Sequence, residues 1–221
     1  MSPLPAEIMI TGTDTSVGKT LVSALLLDYL KSRGTDVGYL KLVSCGGEQA
    51  DDCRYCEEKG GVKGEAVYHF ILAASPHLAA REQGEEVDLS RLCQALDKEK
   101  HHEVLVVEGA GGLCVPLNDK TLLVDFMASH PMATVLVARS GLGTLNHTLL
   151  SVEALRSRKI PILGIIFSDE KSYAEDDLLV LDNMATIARF TGLAVLGRLP
   201  HCASFEEGQR YFAEIGQAIL S

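Results

Sequence analysis

Short apolar runs alternate along the chain with longer amphipathic stretches. Residues 8–10, 37–43, 104–107, 133–138, 161–167 and 193–196 read as strands. Most are continuous rather than alternating, as in Val104 Leu105 Val106 Val107, which predicts strands buried on both faces of a parallel sheet. Between them, three-to-four-residue apolar periodicity predicts helices over 21–30, 48–59, 144–158, 175–191 and 205–220, and a short one over 121–130. Pro76 suits the first turn of a helix from Ser75, and Asp88 caps one running to about residue 100. Residues 60–74 read as irregular. No internal repeat, low-complexity tract or linker interrupts this rhythm. The expected architecture is a single α/β domain over 1–221, a doubly wound, mostly parallel sheet of about seven strands with helices on both faces.

One junction in the pattern carries specific chemistry. The first strand runs into Gly12 Thr13 Asp14 Thr15 Ser16 Val17 Gly18 Lys19 Thr20, and the first helix follows. Strand, glycine-rich turn and helix opening on Gly-Lys-Thr form a phosphate-binding loop of the P-loop NTPase type. Backbone N–H groups converge there, and the helix dipole makes the spot positive. Lys19 would neutralise β- and γ-phosphate charge, and the Thr20 hydroxyl would hold Mg²⁺. The spacing is unusual, because five residues separate Gly12 from Gly18 where four are usual. A loop with side chains at Thr13 to Ser16 has room to hold a second substrate against the γ-phosphate.

Other polar residues fall at predicted strand ends, where parallel sheets bind ligands. Lys41 would face phosphate or an anionic substrate, or point to solvent. Asp51 and Asp52 would reach Mg²⁺, or simply complement a helix dipole. Glu108, followed by Gly109 Ala110 Gly111 Gly112, would be a Mg²⁺ ligand or a buried acid capping the turn. Ser140 to Thr144 forms a second strand–glycine–helix junction, without a lysine, suited to a carboxylate. His77 reads as a capping or core histidine, and His101 and His102 read as solvated residues of a charged turn.

The chain has 221 residues, is 47% hydrophobic and 23% charged, and carries a net charge of −10, which makes nucleic acid and anionic membranes poor partners. No basic and apolar leader opens it and no apolar run reaches membrane-spanning length, so a cytoplasmic location is expected. Cys45, Cys53, Cys56, Cys93, Cys114 and Cys202 do not form a disulfide framework for that compartment. Cys53 and Cys56 stand as a lone pair and read as buried thiols rather than a metal site.

Several motifs together resemble one family. GTDTSVGKT, GYLKLV followed by Ser44-Cys45-Gly46, SPHLAA, VEGAGG, the run from Gly141 to His147, and the late Gly197-x-x-Pro200 occur in the order found in dethiobiotin synthetases, across nearly the whole chain. The resemblance implies an ATP- and Mg²⁺-dependent enzyme that carboxylates 7,8-diaminononanoate with CO₂ and closes a ureido ring. The route would pass through a carbamate and a carbamic–phosphoric anhydride to dethiobiotin, ADP and phosphate. By the same resemblance Lys19 and Lys41 stabilise the transferring phosphoryl group, with Thr15 and Ser16 touching carbamate and diamine. Thr20, Glu108 and one of Asp51 or Asp52, with Asp51 favoured, hold Mg²⁺. Gly12 to Thr20, Ser168, Leu199 and Pro200 hold the nucleotide. Lys41, Ser44, Cys45, Gly109 and Gly111 meet the diamine, and Gly143, Thr144, Leu145 and Asn146 of one subunit meet its carboxylate across a homodimer interface. The chain departs from the family pattern at Leu42, where a proline is usual, at Cys45, where a serine is common, and at Ser168, where a base-reading asparagine is common. The competing class, a nucleotide-switched regulatory ATPase of the partitioning type, needs an early loop lysine where this chain has Asp14 Thr15 Ser16.

Overall fold

The computed structural model describes residues 4–220. Its elements alternate in chain order: β1 (Glu7–Gly12), α1 (Lys19–Ser32), β2 (Val37–Cys45), α2 (Asp51–Gly60), β3 (Glu65–Phe70), α3 (Pro76–Glu82), α4 (Leu89–Glu99), β4 (Val104–Gly112), α5 (Leu123–Ser129), β5 (Ala133–Arg139), α6 (Thr144–Ser157), β6 (Ile162–Ser168), α7 (Leu178–Thr191), β7 (Val195–Leu199) and α8 (Phe205–Ile219). The strands form one seven-stranded sheet in the order β3-β2-β4-β1-β5-β6-β7. Every pairing is parallel.

The two-residue period of the strands sorts their side chains into separate cores. Ile8, Ile10, Tyr39, Val106 and Val137 pack with residues of α1, α2 and α8 on one face. Met9, Leu40, Leu105 and Val107 pack with residues of α3, α4 and α5 on the other. Leu136, Phe167 and Ile187 close a third cluster beneath α6 and α7. The same period, run one step beyond Tyr39 and Val106, brings Lys41 and Glu108 onto the α1 face midway along their strands, since β2 runs on to Cys45 and β4 to Gly112. The register pairs them directly, with Lys41 opposite Glu108, and Glu108 opposite Ile10 on its other side.

Several boundaries differ from the sequence expectation. Residues 60–74 are not wholly irregular, because Glu65–Phe70 forms the edge strand β3. An edge strand is half covered, so Glu65, Tyr68 and His69 hid its apolar signal. α2 starts at Asp51 rather than 48, after Gly46 and Gly47 at φ 104° and 78°. β7 lies at Val195–Leu199 rather than 193–196, and its register with β6 shifts at Gly197. Asp88 does cap α4, accepting from the Ser90 N–H at 2.8 Å. His102 is half-buried rather than solvated, with Nδ1 3.1 Å from both Asp36 oxygens.

Candidate active site

The phosphate loop is held in an open ring by its own backbone. The Thr13 N–H donates to the Val137 carbonyl at 2.9 Å and ties the loop to β5. Ser16 at φ 58° and Gly18 at φ 96° then turn the chain into α1. A Cβ at Gly12 would come within 2.8 Å of Val17 Cγ2, and one at Gly18 within 2.5 Å of Ser168 Oγ, so glycine is required at both ends. Lys19 is only 7% exposed, and its Nζ donates to the Asp14 carbonyl at 2.9 Å. Burial, reinforced by the nearby Lys41 charge, lowers its pKa to about 8. The Asp14 carboxylate accepts from Arg139 Nη2 at 2.8 Å, which fastens the loop to the end of β5.

Below the loop lies a dense polar cluster. Glu108 is fully buried. Its Oε1 lies 2.9 Å from Thr20 Oγ1 and accepts from Lys41 Nζ at 2.6 Å, while Oε2 accepts from Ser23 Oγ at 2.7 Å and Tyr39 Oη at 2.9 Å. Asp52 places Oδ1 2.6 Å from Thr20 Oγ1 and Oδ2 2.9 Å from Lys41 Nζ. Burial works against the Lys41 charge, but Glu108 and Asp52 outweigh it and hold the lysine above its usual range. Burial likewise opposes the charge on Asp52, and Lys41 with the Thr20 hydroxyl overrides it and lowers its pKa.

The Thr20 hydroxyl lies within hydrogen-bond distance of two carboxylates but has one proton to give. Three hard oxygens, from Thr20, Asp52 and Glu108, therefore converge where a cation would complete them. That donor set fits Mg²⁺. The acid in this set is Asp52 and not the favoured Asp51. Asp51 turns outward, is 64% exposed at its side chain and pairs with Arg54 Nη2 at 2.8 Å. Neighbouring residues of a helix point about 100° apart, so only one of the two faces β2 and β4.

A cavity of about 730 Å³ opens at this cluster, lined by Thr15, Ser16, Gly18, Lys19 and Thr20 from the loop and the start of α1 and by Lys41, Cys45, Asp52, Glu108 and Gly111. Leu21, Val43, Ala73, Ala74, Ser75, Pro76, Ala110 and Val115 complete its wall. Other expected residues fall outside it. Ser44 is buried and does not line the cavity. Gly109 also stands back, its carbonyl 3.3 Å from Lys41 Nζ. Val17 and Leu199 are buried in the hydrophobic core, so only their backbones remain for a ligand. Ser168 sits against Gly18 at the base of the loop, and Pro200 is half-buried beyond it. Gly143, Thr144, Leu145 and Asn146 open α6 away from the cavity, with Thr144 buried against Thr148 at 3.1 Å.

Sequence reasoning missed the residues that brace this site. Ser23 lies one helical turn beyond Thr20, and Tyr39 lies two residues before Lys41 on the same strand face, so both were readable from period alone. Arg139 gave no local signal, because it meets Asp14 across 125 residues. Arg198 likewise grips Asp169 with two nitrogens and donates to the Ala174 and Glu175 carbonyls, which pins the segment between β6 and α7.

Known proteins place this arrangement. Residues 6–209 match a family model described as an AAA domain. The ATP-dependent dethiobiotin synthetase BioD of Anaeromyxobacter dehalogenans (strain 2CP-C) is 42% identical over 200 residues, covering 87% of this chain and 89% of the relative. The protein of the same name from Afipia carboxidovorans is 39% identical over 201 residues, covering 89% and 88%. Among solved structures, the signal recognition particle receptor FtsY of Elizabethkingia anophelis superposes with a TM-score of 0.55 at 16% identity, over 98% of this chain and 66% of that one, which is a likeness of fold. Identity of this level over nearly nine-tenths of both chains identifies the chain as a member of the ATP-dependent dethiobiotin synthetase family.

Proposed function

We propose that this chain converts 7,8-diaminononanoate, CO₂ and ATP to dethiobiotin, ADP and phosphate, with Lys19 and Lys41 acting between the two anionic reactants. The observation that carries this reading is the pair of buried lysines lining one cavity, Lys19 in the phosphate loop and Lys41 within β2. A carbamate and a triphosphate repel each other, and fixed cations between them make their in-line approach feasible.

One amine adds to CO₂, loses a proton and becomes a carbamate. A carbamate oxygen attacks the γ-phosphorus and displaces ADP, giving a carbamic–phosphoric anhydride. The second amine attacks the carbonyl carbon, phosphate leaves, and the ring closes. No protein nucleophile is required. Lys19 exchanges its contact with the Asp14 carbonyl for phosphate oxygens, and Thr15 and Ser16 orient the carbamate and diamine from the same loop. Mg²⁺ on Thr20, Asp52 and Glu108 would supply charge neutralisation of the β- and γ-phosphates. Ser168 lies against Gly18 of the loop and Leu199 is its register partner on β7, so the backbone there and at Pro200 would hold the base.

The working form in this reading is a cytoplasmic homodimer of single-domain chains that binds neither nucleic acid nor membrane. Leu142 beside the α6 junction is 86% exposed, and Leu178 at the start of α7 is 82% exposed. Leu150 and Leu181 add to this apolar surface. A second copy covering it would bring Gly143 to Asn146 toward the partner's substrate. Among the described residues no helix is long and apolar enough to cross a membrane.

The test is ADP formation in a coupled assay with diaminononanoate, bicarbonate and Mg-ATP. Turnover that requires both diamine and bicarbonate is the expected result. Hydrolysis indifferent to the diamine, or raised only by a protein or DNA partner, would sink the reading in favour of a nucleotide switch.

A further inference from the structure

A second polar cluster lies at the opposite end of the sheet. Glu99, His101 and His102 bring one carboxylate oxygen and one nitrogen of each imidazole within 4.8 Å of one another. Glu99 ends α4, and His101 and His102 follow in the turn to β4, beside the residues that start β2. There Val37 and Val104 are register partners, and the Val104 N–H donates to the Asp36 carbonyl at 3.1 Å. In a parallel sheet this is the N-terminal edge, remote from Lys41 and Glu108.

Both imidazoles are oriented from outside the triad. His101 Nδ1 lies 3.0 Å from the Lys98 carbonyl, and His102 Nδ1 lies 3.1 Å from both Asp36 oxygens. A carbonyl or carboxylate oxygen only accepts, so each Nδ1 carries a proton, and Nε2 is the nitrogen left for a cation to take in place of any proton there. His102 Nε2 points at Glu99 Oε2, 3.6 Å away. The rings lie face to face at a centroid distance of 4.0 Å and a tilt of 38°. Beneath them Gly38 leaves the space that the His102 ring fills, since a Cβ there would overlap the imidazole. A carboxylate behind a histidine that presents its other nitrogen is the arrangement that orients metal-bound imidazoles and makes them better ligands.

We infer that Glu99, His101 and His102 form a site for a first-row transition cation, Zn²⁺ being the best match. Two neutral imidazoles and one carboxylate suit borderline metals over Mg²⁺ or Ca²⁺, and three protein ligands with an open fourth position suit tetrahedral Zn²⁺. The site takes no part in the carboxylation chemistry. A bound ion would join the α4–β4 turn to the α1–β2 turn, held through Asp36, and would stabilise the folded chain in proportion to its occupancy.

The experiment uses the full chain, freed of metal by chelation, and titrates it with Zn²⁺ and with Co²⁺ as a spectroscopic probe. One ion per chain should bind, raise the melting temperature, and give tetrahedral Co²⁺ bands without thiolate charge transfer. His101→Ala should abolish this binding while diamine-dependent ADP formation persists, which reports that the variant is folded. Asp36→Asn leaves all three ligands in place and should weaken Zn²⁺ about tenfold to a hundredfold. Absence of stoichiometric binding would overturn the assignment. So would a Co²⁺ spectrum with thiolate character, or binding unchanged in His101→Ala, since either places the ion on cysteines or on the phosphate-loop carboxylates.

Discussion

Lys41 and Glu108 are register partners on adjacent strands, and the ammonium nitrogen lies 2.6 Å from the carboxylate with neither side chain more than 5% exposed. The pair is therefore part of the sheet as well as part of the site. Lys41→Ala should cut turnover at least about a hundredfold, because a charge facing the transferring phosphoryl group is gone. It should also destabilise the fold by about 3–5 kcal/mol, because Glu108 stays buried without its counter-charge. Lys41→Met combined with Glu108→Gln should recover much of that stability and none of the activity. Denaturant melts beside ADP assays separate the two effects. A stable, near-normal Lys41→Ala enzyme would remove this lysine from the chemistry.

Asp52 and Asp51 provide an internal control, since they are neighbours in sequence but Asp52 meets Lys41 while Asp51 meets Arg54. In the proposed Mg²⁺ site Asp52 is one of three oxygen donors, so Asp52→Asn should raise the Mg²⁺ concentration for half-maximal rate about tenfold or more. Asp51→Asn breaks only an exposed pair with Arg54 and should change neither that concentration nor stability by more than about 0.5 kcal/mol. The reverse ranking in a Mg²⁺ titration would return the metal to Asp51.

The contrast also shows where reading a sequence stops. The alternation of strands and helices outside β3, and the phosphate loop, follow from local periodicity, and the structure contains them, whereas Lys41 and Glu108, read as strand-end residues, lie mid-strand because β2 continues to Cys45 and β4 through its glycines to Gly112. The choice between Asp51 and Asp52 depends on where α2 begins, and a shift of one residue in a helix swings a side chain by about 100°. Edge strand β3 was hidden because half coverage lets polar residues into it. Arg139 on Asp14 and Arg198 on Asp169 join distant parts of the chain, so nothing near either residue announces them. The dethiobiotin synthetase resemblance was legible because its motifs are contiguous stretches rather than long-range pairs.

Lys19 predicts a pH dependence. In the ligand-free fold its pKa is about 8, against 10.5 for an ordinary lysine. Between these values the unfolded chain binds more protons than the folded one. Stability of the ligand-free protein should thus rise with pH across that window through this group. ATP needs the charged form, so nucleotide binding near pH 8.5–9 should take up a proton and weaken as pH rises further. Calorimetry in two buffers of different ionisation heat measures that uptake directly. Lys19→Gln should abolish it, and uptake that survives the substitution would assign the proton to another group.

In the proposed nucleotide site Ser168 would stand where an amide reads an adenine edge, and its single hydroxyl lies against Gly18. Nucleotide affinity should then rest mainly on the triphosphate. GTP and CTP should support the reaction within about tenfold to a hundredfold of ATP, since a bidentate base contact is worth about 1–3 kcal/mol of discrimination. The kcat/KM values for the three nucleotides decide it, and strict preference for ATP would mean that backbone near Pro200 reads the base.

The α6 junction makes the strongest claim about assembly. Gly143 has φ 93° and no atom within 4 Å of where a Cβ would stand, so its face is open within one chain. The Thr144 N–H donates to the Gly141 carbonyl at 3.2 Å, but the N–H groups of Leu145 and Asn146 in the first turn of α6 are suited to a carboxylate, and neither residue lines the cavity of its own chain. If they serve the partner's cavity, a subunit with a dead phosphate loop still donates a good junction. Co-expressed Lys19→Ala and Gly143→Trp subunits, isolated as tagged heterodimers, should therefore form one working site from two inactive parents. About half the activity of the unmodified dimer is expected, because only one of the two sites joins an intact loop to an intact junction. Homodimers of either variant should be nearly inactive. Verified heterodimers with no activity, alongside folded parents, would show that each site is built from one chain and that the exposed Leu142 and Leu178 serve another contact.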